Sequence, residues 1–106
     1  MPKDDEPRIV LKRREDGCFM LVGTLTFKTV PIIWRQGLDL FKQAPSLMLD
    51  LSAVKRSDSA GVALLIDWMR FARSHNKPIS YINMPQQMLA IVRASSLDTI
   101  LPLARG

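Results

Sequence analysis

The stretch from Leu47 to Arg73, LMLDLSAVKRSDSAGVALLIDWMRFAR, constrains the fold more than any other part of the chain. It reads as a buried strand, a tight polar loop and a long apolar helix. Leu47, Leu49 and Leu51 alternate with Met48, Asp50 and Ser52, and successive side chains in a strand face opposite sides of the sheet. The loop Ser57-Asp58-Ser59-Ala60-Gly61 is dense in residues that start helices. Asp58 or Ser57 can accept hydrogen bonds from the first free N–H groups of the helix, and a carboxylate there suits the positive end of the helix dipole.

The rest of the chain falls into place around this unit. Residues 1–7 (MPKDDEP) are charged and proline-containing and read as a flexible N-terminal tail; residues 8–106 form the domain. Arg8 to Arg13 and Cys18 to Leu25 read as strands joined by Arg14-Glu15-Asp16-Gly17 turn chemistry, which makes a hairpin. Thr26 to Gln43 reads as a helix that Thr29 can cap, with Pro31 in its first turn, Ile33, Trp34, Leu38 and Phe41 at helical spacings, and Gly37 weakening its interior. Ile79 to Ile82 is a further strand. Asn83-Met84-Pro85-Gln86 has the form of a capping box ahead of a last helix carrying Met88, Leu89, Ile91 and Val92. Leu97, Ile100, Leu101 and Leu103 read as a short terminal turn that packs down. The order β-β-α-β-α-β-α predicts a single α/β domain. Its mixed sheet combines an antiparallel hairpin with parallel strands joined by helical crossovers, and the helices lie mainly on one face.

With 106 residues, 47% of them hydrophobic and 24% charged, the chain can bury a core without metal or disulfide staples. The single cysteine, Cys18, has no internal partner, which fits a reducing cytosol, and its strand position reads as a small buried hydrophobe. The N-terminus lacks the apolar core of a signal peptide, and the apolar run Val62 to Ile66 is too short to cross a bilayer. The net charge of +5 is compatible with anionic partners. However, Lys12-Arg13-Arg14 and Lys55-Arg56 have no interleaved aromatics, so they read as solvated turns and no direct nucleic-acid contact is expected.

The central helix carries more apolar surface than one sheet contact needs. Val62, Leu65, Ile66, Met69 and Ala72 make one stripe, and Leu64, Trp68 and Phe71 lie beside it. This flank either buries against a neighbouring helix of the same domain or presents a partner-binding face with Trp68 as anchor. No catalytic constellation accompanies it. His75 is the only histidine and sits at a helix end, where a cation is welcome. No GxSxG elbow, no GxxxxGK[ST] or GxGxxG loop and no metal-ligand spacing occurs, so neither an enzyme nor a cofactor or metal site is expected.

The runs Leu49-Asp50-Leu51-Ser52, Asp58-Ser59-Ala60-Gly61 and Val62-Ala63-Leu64-Leu65 resemble the signature of the STAS family, the fold of anti-sigma-factor antagonists and sulfate-transporter tails, and Asn83 to Leu101 resembles its last strand-to-helix segment. The resemblance implies a STAS-like fold. In the antagonist branch, the hydroxyl just before the glycine is phosphorylated to switch partner binding; here that place is Ala60. Ser59 keeps a hydroxyl one position earlier. This is similar to the MlaB-type STAS subunit of bacterial lipid-transport ABC systems, in which a hydroxyl directly after the aspartate matters for partner binding.

The resemblance therefore implies a non-catalytic cytoplasmic subunit that binds the ATPase of an inner-membrane phospholipid transporter with its permease, touching the membrane only through partners. Its contact would be Asp58, Ser59, Ala60, Gly61 and Val62, with Leu64 and Trp68 buried beside them. The alternative it implies is an antagonist that binds an anti-sigma kinase, with Ser59 as the regulatory or phosphorylated hydroxyl.

Overall fold

The computed structural model describes residues 8–104, so the expected tail at 1–7 lies outside the described residues. Five strands and three helices alternate after an initial hairpin: β1 (Ile9–Arg13), β2 (Phe19–Leu25), α1 (Val30–Phe41), β3 (Leu47–Ser57), α2 (Ser59–Ser74), β4 (Ile79–Ile82), α3 (Gln86–Ala94) and β5 (Leu103–Ala104). The strands lie in sequence order across one sheet. β1 pairs antiparallel with β2, and every later pairing is parallel.

Each helix carries the chain from one parallel strand to the next in the same direction. Right-handed crossovers of that kind place all three helices on one face of the sheet. Leu11, Phe19, Leu21, Leu47, Leu49 and Leu51 point toward the helices and are buried, whereas Val10 and Met48 on the opposite face are each 46% exposed. The expected mixed sheet with helices on one face is the observed architecture. The core runs as an aromatic chain across three elements. Phe19 of β2 meets Phe41 of α1 edge-on at 5.1 Å between ring centroids, and Phe41 meets Trp68 of α2 at 5.0 Å. Burying each such ring contributes about 1.5–3 kcal/mol.

Several boundaries differ from the sequence-based expectation. The polar loop shrinks almost to one residue. β3 runs on to Ser57 and α2 begins at Ser59, leaving only Asp58 between them. Thr29 stands at the start of α1 without capping it; its hydroxyl donates to the Thr24 carbonyl at 2.7 Å and accepts the Thr26 N–H at 2.9 Å, bracing the β2–α1 loop.

The capping box before α3 does not form. Pro85 is the N-terminal boundary residue, and Asn83 adopts a left-handed conformation (φ +57°), turning its amide to the Asp50 carboxylate at 3.3 Å. The terminal segment does pack down through buried Leu101, but it also adds β5, paired to β4 through Tyr81–Leu103 and Ile82–Ala104. At the far end of the sheet, Lys77 Nζ donates to the carbonyls of Phe41, Lys42 and Ala44 at 2.6–2.9 Å, capping the negative end of α1.

Candidate functional site

The end of the sheet where β2 and β3 run into their helices gathers the residues that the sequence singles out. Asp58 has extended backbone angles (φ −117°, ψ −170°), as an N-cap requires. Its Oδ1 accepts the N–H groups of Ala60 and Gly61 at 2.9 and 3.3 Å. Its Oδ2 accepts the N–H of Phe27 at 3.1 Å. One carboxylate therefore satisfies the start of α2 and pins the β2–α1 loop to it.

Gly61 sits where a side chain has no room. A Cβ there would lie 2.3 Å from Ser57 Oγ and 2.6 Å from the Leu25 carbonyl oxygen. The helix start thus presses directly on the ends of β2 and β3. On the other flank, Gln87 of α3 reaches Ser57: its Oε1 accepts the Ser57 N–H at 2.9 Å and its Nε2 donates to the Ser57 carbonyl at 2.8 Å. Ser59 stands on top of this braced corner. It is exposed, and among the described residues its hydroxyl has no hydrogen-bond partner.

Beside Ser59, a groove of about 500 Å³ runs between α1 and α2. Val30, Pro31 and Trp34 form one wall and Ala60, Ala63 and Leu64 the other, with Asp67 at the end. Trp34 is held by its indole N–H, which donates to the Asp67 carboxylate.

The structure divides the expected contact residues. Asp58, Ser59 and Ala60 reach the surface; Gly61 and Val62 lie beneath it. Leu64, 2% exposed, shows only one edge, in the groove. Trp68 is a correction to the partner-face expectation. It is 0% exposed, its ring covers Gly37 of α1, and its Nε1–H donates to the Trp34 carbonyl at 3.3 Å. The extra apolar flank of α2 is therefore mainly an intramolecular helix contact, and Phe71 is half-buried against the core and His75. Trp34, which the helical pattern of α1 suggests as core, is 38% exposed and belongs to the groove.

A second polar cluster lies on the open face of the sheet. Asp50 is buried mid-strand, accepts from Arg14 Nη1 at 2.8 Å and from Asn83 Nδ2 at 3.3 Å, and takes the Ser52 N–H at 2.9 Å. That N–H is available because Leu51 and Ser52 together oppose the single residue Leu21 in a bulge. Burial pushes the Asp50 carboxyl up, but the Ser52, Asn83 and Arg14 hydrogen bonds outweigh it and hold it below the ordinary carboxylate range. Cys18 is buried nearby; burial pushes its thiol up, and Sγ lies 3.2 Å from the Met48 carbonyl oxygen. Both groups serve the fold: the carboxylate is fully engaged and the thiol is held away from the thiolate form.

Residues 11–102 match the family model described as MlaB, STAS domain. The chain belongs to this MlaB-type STAS family. No curated protein matches it. Solved structures share its fold. A Thermotoga maritima protein carrying the assignment of anti-sigma factor antagonist is 17% identical over 92% of this chain and 86% of that one, with a TM-score of 0.73. The anti-sigma factor antagonist SpoIIAA in its unphosphorylated form is 16% identical over 93% of this chain and 88% of its own, with a TM-score of 0.72. An anti-sigma factor antagonist from Mycobacterium paratuberculosis is 18% identical over 97% and 89% of the two chains, with a TM-score of 0.66. In this STAS domain, the segment Asp58 to Gly61 forms the junction of β3 and α2. Among its described residues, no helix is long and apolar enough to cross a membrane.

Proposed function

We propose that this STAS domain is a non-catalytic cytoplasmic subunit of an inner-membrane phospholipid-transport ABC complex, where it binds the ATPase subunit and supports its activity. The observation that carries this reading is Ser59: an exposed hydroxyl, unpaired among the described residues, directly after the capping Asp58 and followed by Ala60. Membership of the MlaB-type family supports the same partner class. The chemistry is that of a docking surface. Small side chains at a helix start let another backbone approach, and the Ser59 hydroxyl can donate or accept across the contact. Asp58 and Ala60 reach this surface beside Ser59, Gly61 and Val62 shape it from beneath, and Leu64 contributes its edge.

The test is co-purification of the tagged chain from detergent-solubilised membranes of its native host. Wild type is expected to bring an ABC ATPase with its permease, and a folded Ser59→Glu variant to lose most of them. A folded Ser59→Glu protein with wild-type recovery counts against the reading.

A second reading is a phosphorylation-controlled antagonist of an anti-sigma kinase. It is favoured by the exposure of Ser59 and by the likeness to SpoIIAA, which has been solved in unphosphorylated and phosphorylated forms. Phosphate on Ser59 would place about −2 charge at the helix start. Recovery of a soluble kinase, together with a phosphate mass on Ser59, would favour this reading over the transporter.

A further inference from the structure

The lining of the α1–α2 groove is apolar except for Asp67, and an arginine lies one turn beyond it on each helix. Arg35 follows Trp34 and lies one turn on from Pro31; Arg70 lies one turn on from Asp67 and on the same stripe of α2 as Ala63. Both are exposed, and neither forms an ion pair among the described residues. None of the nearby carboxylates pairs with them among the described residues. Asp67 accepts from Trp34, Asp58 caps α2, and Asp39 faces Lys42 at 3.7 Å.

From this we infer that the groove seats a short amphipathic helix of a partner protein. Apolar side chains of that helix enter between Trp34 and Leu64, and acidic residues on its flanks meet Arg35 and Arg70. The inference rests on the reading that the Ser59 end of α2 faces a partner, and it adds the partner's chemistry. Three features support it. Ala60 and Ala63 leave room for a helix to lie close to α2. Trp34 is locked by Asp67, and α1 is locked to α2 through Gly37 and Trp68, so the groove exists before the partner arrives and little ordering cost remains. Arg35 and Arg70, without an ion pair among the described residues, offer two cations to incoming carboxylates, against the single acid of the lining, Asp67, which already accepts from the Trp34 indole. A nucleic-acid backbone would satisfy the cations but leave the apolar floor uncovered.

The test uses the full chain, labelled with nitrogen-15, and two synthetic helical peptides. Both carry leucines at i, i+3, i+4 and i+7; one has glutamates and the other lysines on the flanks. The acidic peptide is expected to shift the amides of Trp34, Ala60, Ala63 and Leu64 and to bind about tenfold more tightly than its basic twin at low salt, the gap closing as salt rises. Arg35→Glu with Arg70→Glu, both exposed positions, should reverse the preference. Ala63→Trp, also at an exposed position, should block the acidic peptide.

Equal binding of the twins, shifts elsewhere on the domain, or no binding of either overturns the inference. So does binding to anionic vesicles that the double reversal abolishes, if no peptide binds. The two readings fail separately. Recovery of the ATPase with wild type, but indifference to peptide charge, removes the groove partner and leaves the transporter reading standing. A charge-selective groove without any ATPase does the opposite.

Discussion

Trp68 lies on the bare α-carbon of Gly37: a methyl group added there would sit 2.4 Å from the indole Cζ2 and 2.8 Å from Cε2. This contact joins α1 to α2 and sets the width of the groove above it. Gly37→Ala would raise helix propensity by about 1 kcal/mol. It must also displace a fully buried indole stacked edge-on against Phe41. Overpacking of that kind costs about 1–3 kcal/mol, so the variant is expected to be less stable in urea despite its better helix former. Unchanged or increased stability would show that the indole moves freely, against the close packing described.

Asp58 makes two separable contributions. Its Oδ1 holds the α2 N–H groups and its Oδ2 holds Phe27. Asp58→Ala should lose both, costing about 1–2 kcal/mol for the cap alone. Asp58→Asn keeps one acceptor oxygen and turns an NH2 toward the Phe27 N–H. The amide of Phe27 should therefore exchange faster in both variants, and those of Ala60 and Gly61 only in the alanine variant. Hydrogen exchange followed residue by residue reads this pattern, and protection of Phe27 in the asparagine variant would contradict it.

The β3–α2 unit was readable because its signals are local. Alternating leucines name a strand with one buried face, and an aspartate before a small-residue helix start names a cap. What escaped depends on distant partners. Asn83 looks like a cap in sequence, but its amide is claimed by Asp50, 33 positions away, and its backbone turns left-handed. β5 is two residues long and exists because β4 offers it a parallel edge, which no periodicity in two residues can announce.

The burial of Trp68 had a signal after all. Gly37 falls between Ile33 and Phe41 on the buried stripe of α1, and a glycine there marks the footprint of a large neighbour. Trp34 is one position off that stripe, enough to move it from the core into the groove.

The Asp50 cluster predicts a pH dependence with a definite sign. Its carboxyl is held below the ordinary value in the folded chain, which is about 3.9 for an unfolded aspartate. The unfolded chain therefore takes up the proton first as pH falls. The stability that this ionised group supplies is fully present above about pH 5 and drains away as pH drops through the folded value. Asp50→Asn should cost about 1–3 kcal/mol at neutral pH, because Arg14 and the Ser52 N–H lose a charged acceptor. The gap between wild type and variant should narrow steadily below about pH 4. A gap that stays constant in acid-titrated urea melts would mean that the carboxylate contributes nothing through its charge.

Gln87 completes a sheet that the strands leave unfinished. β4 pairs with β3 only from Leu47 to Asp50, so the upper half of β3 has no strand on that side. The Gln87 side-chain amide stands in for one, accepting from the N–H of Ser57 and donating to its carbonyl as a neighbouring peptide would. Gln87→Ala should remove both bonds, cost about 1–2 kcal/mol and speed exchange of the Ser57 amide. Gln87→Glu keeps an acceptor for that N–H but faces the Ser57 carbonyl with a second oxygen, so Ser57 should stay protected while the variant loses stability. Because Asp58 and Ser59 follow directly from Ser57, loosening this corner should also weaken capture of the partner by the alanine variant more than by the glutamate one. Equal loss in both would place the effect in α3 packing and not in the corner that carries Ser59.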